Sequence, residues 1–337
     1  MKILQVVDDR NPMGGGVARH VHGLCRTAAP LGVETALIQD FKGLAGLLKP
    51  ASTVHIHGAR SPLSAAAGLV CRLRNIPYVY TPHCYYDHGG PLKQVMKRLW
   101  DSTVERLLHR WAATSIFLND AWLDDAHQRG FRPQQIAIIP NCVSFDEIEM
   151  RRSQASAGTL SGAPSLLSIS RLDPIKRLED AIHVLTAPGL EEAHFHIVGT
   201  GPDESRLKNI AAAARLGDRV HFHGWLDDIA ATRLLRGADI FVLPSAREGM
   251  PTTMLEAFLL GCPVVASDTL GCAAIAQQIG WAYIHPIGDR EAMARLICRA
   301  PSLDEGTIAA VREKFTWESR IENLLTVYRA IANKRSD

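Results

Sequence analysis

The sequence has little to build disulfides from. Seven of its 337 residues are cysteine, an odd number, and no two form a Cys-x-x-Cys pair. Most of them (Cys25, Cys71, Cys84, Cys142, Cys262, Cys272, Cys298) fall in apolar stretches, where a thiol packs as a small hydrophobe. The pattern excludes a disulfide scaffold and suits a reducing, cytoplasmic compartment. No apolar run approaches 18 residues, so no membrane-crossing helix is expected. "MKILQVVDD" enters a strand directly, as a chain without a secretory leader would. A large excess of charge is also missing. A net charge of +2 does not suggest a nucleic-acid binder. The charge is uneven, however: residues 1–155 carry net +5 and the remainder net −3, which suits an anionic surface near the first half, although a difference this small is often just solvated faces.

Several signatures of chemistry are absent too. A dinucleotide fingerprint needs Gly-x-Gly-x-x-Gly, and the residue three after Gly16 is Arg19, which weakens a dehydrogenase reading. There is no His-Glu-x-x-His. His55 and His57 share one strand face, but without a clear third ligand they do not argue for a metal. No Asp-x-Asp offers to chelate a metal–diphosphate.

What the sequence does contain is short apolar strands alternating with amphipathic helices, twice over. In the first half, strands are expected at Ile3–Val7, Thr35–Ile38, Val54–His57, Tyr78–Thr81, Ser115–Leu118 and Ile136–Ile139, with a helix at Val17–Ala29. In the second half they are expected at Ser165–Ile169, His194–Val198, Val220–His223, Ile240–Leu243 and Pro263–Ala266. Helices fit at Leu178–Leu185, Glu204–Ala214, Ile229–Arg236 and Thr252–Leu260. Strands of four to six apolar residues separated by helices imply parallel sheets covered on both faces. Residues 144–164, polar and then rich in Ser, Ala and Gly, read as a linker. The fold class is therefore α/β, with two Rossmann-like doubly wound domains facing each other across a cleft. The first spans residues 1–150 and the second 164–316. Ligands of such sheets sit at the carboxyl ends of the strands.

Four stretches carry candidate chemistry. "NPMGGGVARHV" joins the first strand to the first helix; its glycines allow close approach of a ligand to the helix N-terminus, or simply form a tight turn. In "SRLDPIKRLED", Arg171 leaves a strand end and Lys176 follows five residues on. Two cations there suit a diphosphate, although loop charges are common. "GTGP", from Gly199 to Pro202, is a lone Gly-x-Gly turn. The fourth is "REGMPTTMLEA". Glu248 lies on a strand-end loop, Gly249, Met250 and Pro251 shape the turn, and Thr252 and Thr253 open a helix whose free N–H groups can receive phosphate or sugar oxygens. Glu256 stands in that helix amid apolar residues, where a plain surface glutamate would be out of place.

Together these stretches resemble the family 4 retaining glycosyltransferases, which have the GT-B fold. The family's Gly-Gly turn is matched by Gly15 and Gly16, and its His at a strand end by His83 in "TPH". Its Pro-Asn-Gly appears as Pro140-Asn141-Cys142, and its Gly-Arg…Lys as Ser170-Arg171…Lys176. Gly-x-Gly-Pro is kept from Gly199, and Glu-x7-Glu is kept as Glu248…Glu256. The usual acid near the end is replaced in "LGCAAIA", with Ala274 or Ile275 in its place. The final "FTWESRIENLLTVY" looks like the family's last helix, returning over 317–333 to the first domain.

The resemblance implies a hexosyltransferase with no cofactor or metal, using a UDP- or GDP-linked sugar. Arg171 and Lys176 would neutralise the diphosphate, Glu256 would hold the ribose diol and Glu248 the sugar hydroxyls. Gly15 and Gly16 would let donor and acceptor meet, and His83 would contact the sugar near the reacting carbon. The acceptor would be a glycan or a lipid-linked saccharide, in bacterial polysaccharide or lipopolysaccharide assembly, with no nucleic-acid partner. A nucleotide-sugar epimerase on the same architecture and a non-catalytic sugar-nucleotide-binding subunit are the alternatives. Pro91–Trp111 raises a separate question. Its apolar residues recur at helical spacing and its cations outnumber its acids. Either it is a covering helix with a core stripe, or it lies on the inner face of an anionic membrane.

Overall fold

The computed structural model describes residues 1–8, 15–48, 53–87, 89–299 and 302–333. The chain divides into two units: Met1–Ser144 with Phe315–Asp337, and Phe145–Lys314. Among the described residues each carries a six-stranded sheet, and every strand pairing in both is parallel.

In the first unit the order along the chain is β1 (Lys2–Val7), α1 (Gly16–Ala28), β2 (Glu34–Ile38), β3 (Thr53–His57), α2 (Pro62–Leu73), β4 (Tyr78–Thr81), α3 (Pro91–Trp100), α4 (Arg106–Trp111), β5 (Thr114–Phe117), α5 (Asp120–Gln128) and β6 (Ile136–Ile138). The sheet order is β2-β1-β3-β4-β5-β6, so the winding reverses between β1 and β3. All five residues of β3 are buried, as expected of a strand with elements on both faces. One face packs Ile56, Leu63, Ala67, Tyr80 and Leu108.

The second unit runs α6 (Phe145–Gln154), β7 (Ser165–Ile169), α7 (Leu178–Val184), β8 (His194–Val198), α8 (Glu204–Ala213), β9 (Val220–Gly224), α9 (Asp228–Gly237), β10 (Ile240–Leu243), α10 (Thr252–Leu259), β11 (Val264–Ser267), α11 (Leu270–Ile279), β12 (Ile284–His285), α12 (Arg290–Cys298) and α13 (Glu305–Phe315). Its sheet order is β12-β11-β10-β7-β8-β9, with the reversal between β10 and β7. The last helix, α14 (Trp317–Asn333), belongs to the first unit. It covers the other face of that sheet, where Trp317, Leu324, Leu325, Tyr328 and Ile331 pack with Ile3, Leu24 and Val79. A fully buried Leu or Ile there is worth about 1.5–3 kcal/mol. The Trp317 indole donates to the His20 carbonyl at 2.9 Å.

Two expectations change. The stretch read as a linker begins with a helix, α6, and the boundary between units falls before Phe145 rather than at residue 150. Its buried positions are Ile148 and Arg151. An arginine in the buried stripe hides the helix from a search for apolar periodicity.

Pro91–Trp111 is helical throughout, as expected, but not uniformly α-helical. α3 and α4 are separated by a π-helical turn, Asp101–Glu105. That turn buries both carboxylates, while α3 buries none of its residues. A core stripe is thus excluded for α3: Leu92, Val95, Met96 and Leu99 are 60–74% exposed. Among the described residues no helix is long and apolar enough to cross a membrane.

Candidate active site

In the second unit, the sequence motifs converge where the winding reverses. Neighbouring β7 and β10 both end there, and side chains beyond their carboxyl ends meet. Lys176, in the 3-10 turn Pro174–Lys176 after β7, donates from Nζ to Glu248 Oε1 at 2.8 Å. Ser245, just beyond β10, donates from Oγ to the same oxygen at 2.6 Å. A backbone bond from Ala246 N to Ile175 O, 2.8 Å, ties the two loops together. The Glu248 side chain is 5% exposed and that of Lys176 is 19% exposed. A carboxylate so buried needs this pairing, since its desolvation is otherwise uncompensated.

Glu248, Gly249, Met250 and Pro251 form the turn into α10, and Pro251 is its N-cap residue. No side chain caps the helix, and Thr252 and Thr253 begin it. An uncapped N-terminus leaves backbone N–H groups and the positive end of the helix dipole for an anion. Glu256, one turn further on, is 3% exposed. It accepts from Arg151 Nη1 at 3.3 Å, a pair in which both side chains are buried. Arg151 belongs to α6, so a reading of that stretch as a linker could not find it.

Arg171 stands apart from this pair. It lies in the loop after β7, exposed, and among the described residues makes no ion pair. Beside it the Ser170 hydroxyl is buried without a hydrogen-bond partner. Gly199 serves this loop. Its φ is +130°, and a Cβ there would fall 1.9 Å from the Ser170 carbonyl oxygen. Only glycine lets the turn after β8 pass so close to the Arg171 loop. The other face of the site is closed by α11, capped by Thr269. Gly271 lies so near the Glu248–Gly249 backbone that a Cβ would be 2.4 Å from the Gly249 oxygen. The next residue, Cys272, is fully buried; burial, with the nearby Glu248 charge, pushes its thiol up to about 12. Trp225, an indole 53% exposed, follows β9 directly, and Gly199 N donates to the Gly224 carbonyl at 2.7 Å. A lone aromatic in a loop carries no spacing signal, so Trp225 is not legible as a site residue from the sequence.

In the first unit, Gly15 precedes α1 as its N-cap and Gly16 opens it. Residues 11–14 of the glycine-rich turn, and His88, lie outside the described residues. His83 follows β4 with φ +62°, a left-handed conformation rare for a side-chain-bearing residue. Its ring is buried and engaged at both nitrogens. Nδ1 donates to Asn141 Oδ1 at 3.0 Å, and Nε2 meets His57 Nδ1 at 3.1 Å. The "TPH" and "PNC" stretches are thereby joined. The Gln5 amide links His57 Nε2 (2.8 Å) to the Tyr328 hydroxyl (3.2 Å). His55 lies between that hydroxyl (2.6 Å) and Thr81 Oγ1 (2.7 Å). Burial pushes His83 down to about 4, against the Asn141 bond, which raises it. Burial also holds His20, His55 and His57 well below the usual imidazole range. His55 and His57 therefore spend their ring nitrogens on this hydrogen-bonded cluster. Among the described residues no group of three or more His, Cys, Asp or Glu is arranged around a metal-sized site.

Comparison with known proteins gives two family matches. Residues 150–313 match the model of glycosyl transferases group 1. Residues 15–142 match a glycosyl transferase 4-like domain. The chain is 26% identical over 297 residues to a 2-deoxystreptamine N-acetyl-D-glucosaminyltransferase of Streptomyces fradiae, covering 84% of this chain and 69% of that protein. It is 25% identical over 269 residues to the Escherichia coli UDP-Gal:alpha-D-GlcNAc-diphosphoundecaprenol alpha-1,3-galactosyltransferase, covering 70% of this chain and 64% of that one. The structure of Anabaena Alr3699/HepE in complex with UDP and glucose superposes with a TM-score of 0.72 at 18% identity, covering 100% of this chain and 99% of that one. That last likeness concerns the fold alone, which is GT-B.

Proposed function

The chain belongs to the family 4 glycosyltransferases of group 1 and is a glycosyltransferase, and from that premise we propose that it moves a sugar from a nucleoside-diphosphate donor to a glycan or lipid-linked acceptor, retaining anomeric configuration and needing no metal. The observation that carries this is the Lys176–Glu248–Ser245 junction at the β7/β10 reversal, beside the uncapped start of α10. In doubly wound sheets that is where ligands sit.

The donor exchanges partners with the site. Lys176 turns from Glu248 to the diphosphate, joined by the unpaired Arg171 and the Ser170 hydroxyl. Glu248, released, takes sugar hydroxyls. Glu256 takes the ribose diol in place of Arg151, and the exposed Trp225 offers a face for the base. As the anomeric carbon becomes cationic, negative charge grows on the leaving diphosphate. Lys176, Arg171 and the α10 N–H groups stabilise that charge in a fixed, partly dry setting. With both ring nitrogens bonded, His83 acts through its position and its backbone rather than as a proton carrier.

The relatives that act on diphosphoundecaprenol-linked sugars support a lipid-linked acceptor in polysaccharide or lipopolysaccharide assembly. A UDP-bound structural neighbour supports a nucleotide-linked donor. The exposed stripe of α3, flanked by Lys93, Lys97 and Arg98 with no acid in the helix, supports peripheral attachment to the inner face of an anionic membrane.

The deciding experiment is a panel of UDP- and GDP-sugars screened by thermal shift, then mass analysis of products with glycan and lipid-diphosphate acceptors. A glycosylated acceptor is the expected product. Conversion of the donor alone, without an acceptor, would mean an epimerase. Binding without any product would mean a non-catalytic subunit.

A further inference from the structure

We propose that a cavity of about 220 Å³ beside α3 receives the phosphate of an anionic lipid whose chains lie along that helix's exposed stripe. This rests on the membrane reading above and deepens it by naming the group bound and the side chains that bind it.

Gln94, Lys97 and Arg98 of α3 form one wall of the cavity, and Arg60 and Arg129 line it together with Asp87 and Asp101. Four cations and two carboxylates line it, and Asp125 pairs with Arg129 Nε at 2.7 Å from behind, which leaves a surplus of one positive charge among these seven side chains. The two carboxylates are not equivalent. Asp101, on the π-helical turn, is buried and accepts from Arg60 Nε at 2.7 Å, Arg60 Nη2 at 2.6 Å and Arg129 Nη1 at 3.2 Å. It is a fixed counter-ion. Asp87 lies on the coil before α3 with its side chain 40% exposed, and accepts from Arg60 Nη2 at 2.8 Å and from Arg129 Nη1 at 3.2 Å. Although burial pushes its carboxyl up, Arg129 and Arg60 hold it down to about 2. The Arg129 fork, through Nη1 and Nη2, and Arg60 Nη2 converge on this half-exposed carboxylate, a seat that phosphate oxygens also fit. Asp87 occupies part of that seat and competes for it.

The helix identifies the source of the phosphate. Leu92, Val95, Met96 and Leu99 stand at i, i+3, i+4 and i+7, one stripe of a single helix. Gln94, Lys97 and Arg98 belong to the same three turns. An anion in the cavity therefore sits within a turn of an uncovered apolar stripe, the arrangement a lipid satisfies and a free phosphate does not. The stripe is also held in place. Glu105 accepts from the Trp100 indole at 3.2 Å and from Arg60 N at 3.1 Å, so the far end of α3 is tied to the unit by two buried carboxylates. Arg98 and Lys93 make no hydrogen bond or ion pair to any described residue.

The test is co-sedimentation of the full chain, at about 0.1 M salt, with vesicles of phosphatidylcholine alone or mixed with phosphatidylglycerol or phosphatidic acid. Each cation near an anionic surface is worth about fivefold in binding. Arg98→Ser should weaken binding to the anionic vesicles about fivefold, and Lys97→Ser with Arg98→Ser about thirtyfold. Asp87→Asn should strengthen it about fivefold. Leu92→Ser with Met96→Ser should weaken binding to every vesicle. If the stripe variant fails but the cation variants and Asp87→Asn bind as the parent does, the cavity proposal is overturned and membrane attachment stands. No binding to any vesicle overturns both. If inorganic phosphate raises the melting temperature as much as phosphatidic acid vesicles do, the lipid source is wrong. Sugar transfer to a water-soluble acceptor, followed in parallel, reports on the glycosyltransferase reading independently of all these outcomes.

Discussion

Lys176→Met tests the site through the pair it would break. The ammonium and the Glu248 carboxylate are 2.8 Å apart, a gross attraction of about 6 kcal/mol at an effective dielectric of 20. Desolvation of both groups offsets much of this. What matters in the variant is the charge left behind. Removing one partner of a buried pair costs about 3–5 kcal/mol. Lys176 is one-fifth exposed and Ser245 still donates to Glu248, so about 2–3 kcal/mol is expected here. At about 2–4 °C per kcal/mol for a unit of this size, the melting temperature should drop by about 5–10 °C. Glu248→Gln should fall less, because a neutral amide tolerates burial better. Lys176→Met with Glu248→Gln leaves neither charge stranded and should recover to within about 1 kcal/mol of the parent. The assay is thermal denaturation of all four proteins as a double-mutant cycle, with and without the best nucleotide sugar. Turnover should fall by about 10²-fold or more in each single variant, while the donor stabilises the parent more than any of them. Additive losses of stability would refute the coupling, and near-normal turnover in both single variants would refute the site.

Other expectations follow from the same geometry. Trp225→Ala should raise the KM for the nucleotide sugar several-fold with kcat little changed, because the base is bound alike in ground and transition states; an unchanged KM removes the indole from the donor site. Turnover should survive EDTA, and complete loss restored by Mg²⁺ or Mn²⁺ would show that the cations Arg171 and Lys176 do not suffice. Acid should destabilise the first unit. His83 and His109, the latter buried on α4 with its ring nitrogens on the Tyr85 and Ser115 hydroxyls, are pushed by burial down to about 4 and about 3 and bind protons in the unfolded chain before they do in the folded one. Stability is therefore lost as pH falls below about 6.5, by about 2 kcal/mol for each at pH 5. Melting temperatures from pH 7.5 to 5 read this directly, and a flat profile would contradict it.

The sequence by itself determined the alternation of elements. Strands such as Tyr78–Thr81, Ser165–Ile169 and Ile240–Leu243 are rich in apolar residues because both sheet faces are covered, and that pattern is local. It also supplied Lys176, Glu248 and Glu256 as polar residues at strand ends or in an apolar helix. It could not say who meets whom. Glu248 finds Lys176 because β10 and β7, far apart in the chain, are adjacent where the winding reverses. Glu256 finds Arg151 because a stretch without apolar periodicity folds as α6, its buried stripe completed by a charge. His83 is locked by Asn141 and His57, residues from two other strand ends. The apolar stripe of α3 shows the same limit from the other side. Periodicity located it, but burial depends on what packs against a helix, and only the tertiary structure decided that none of the described residues covers this one.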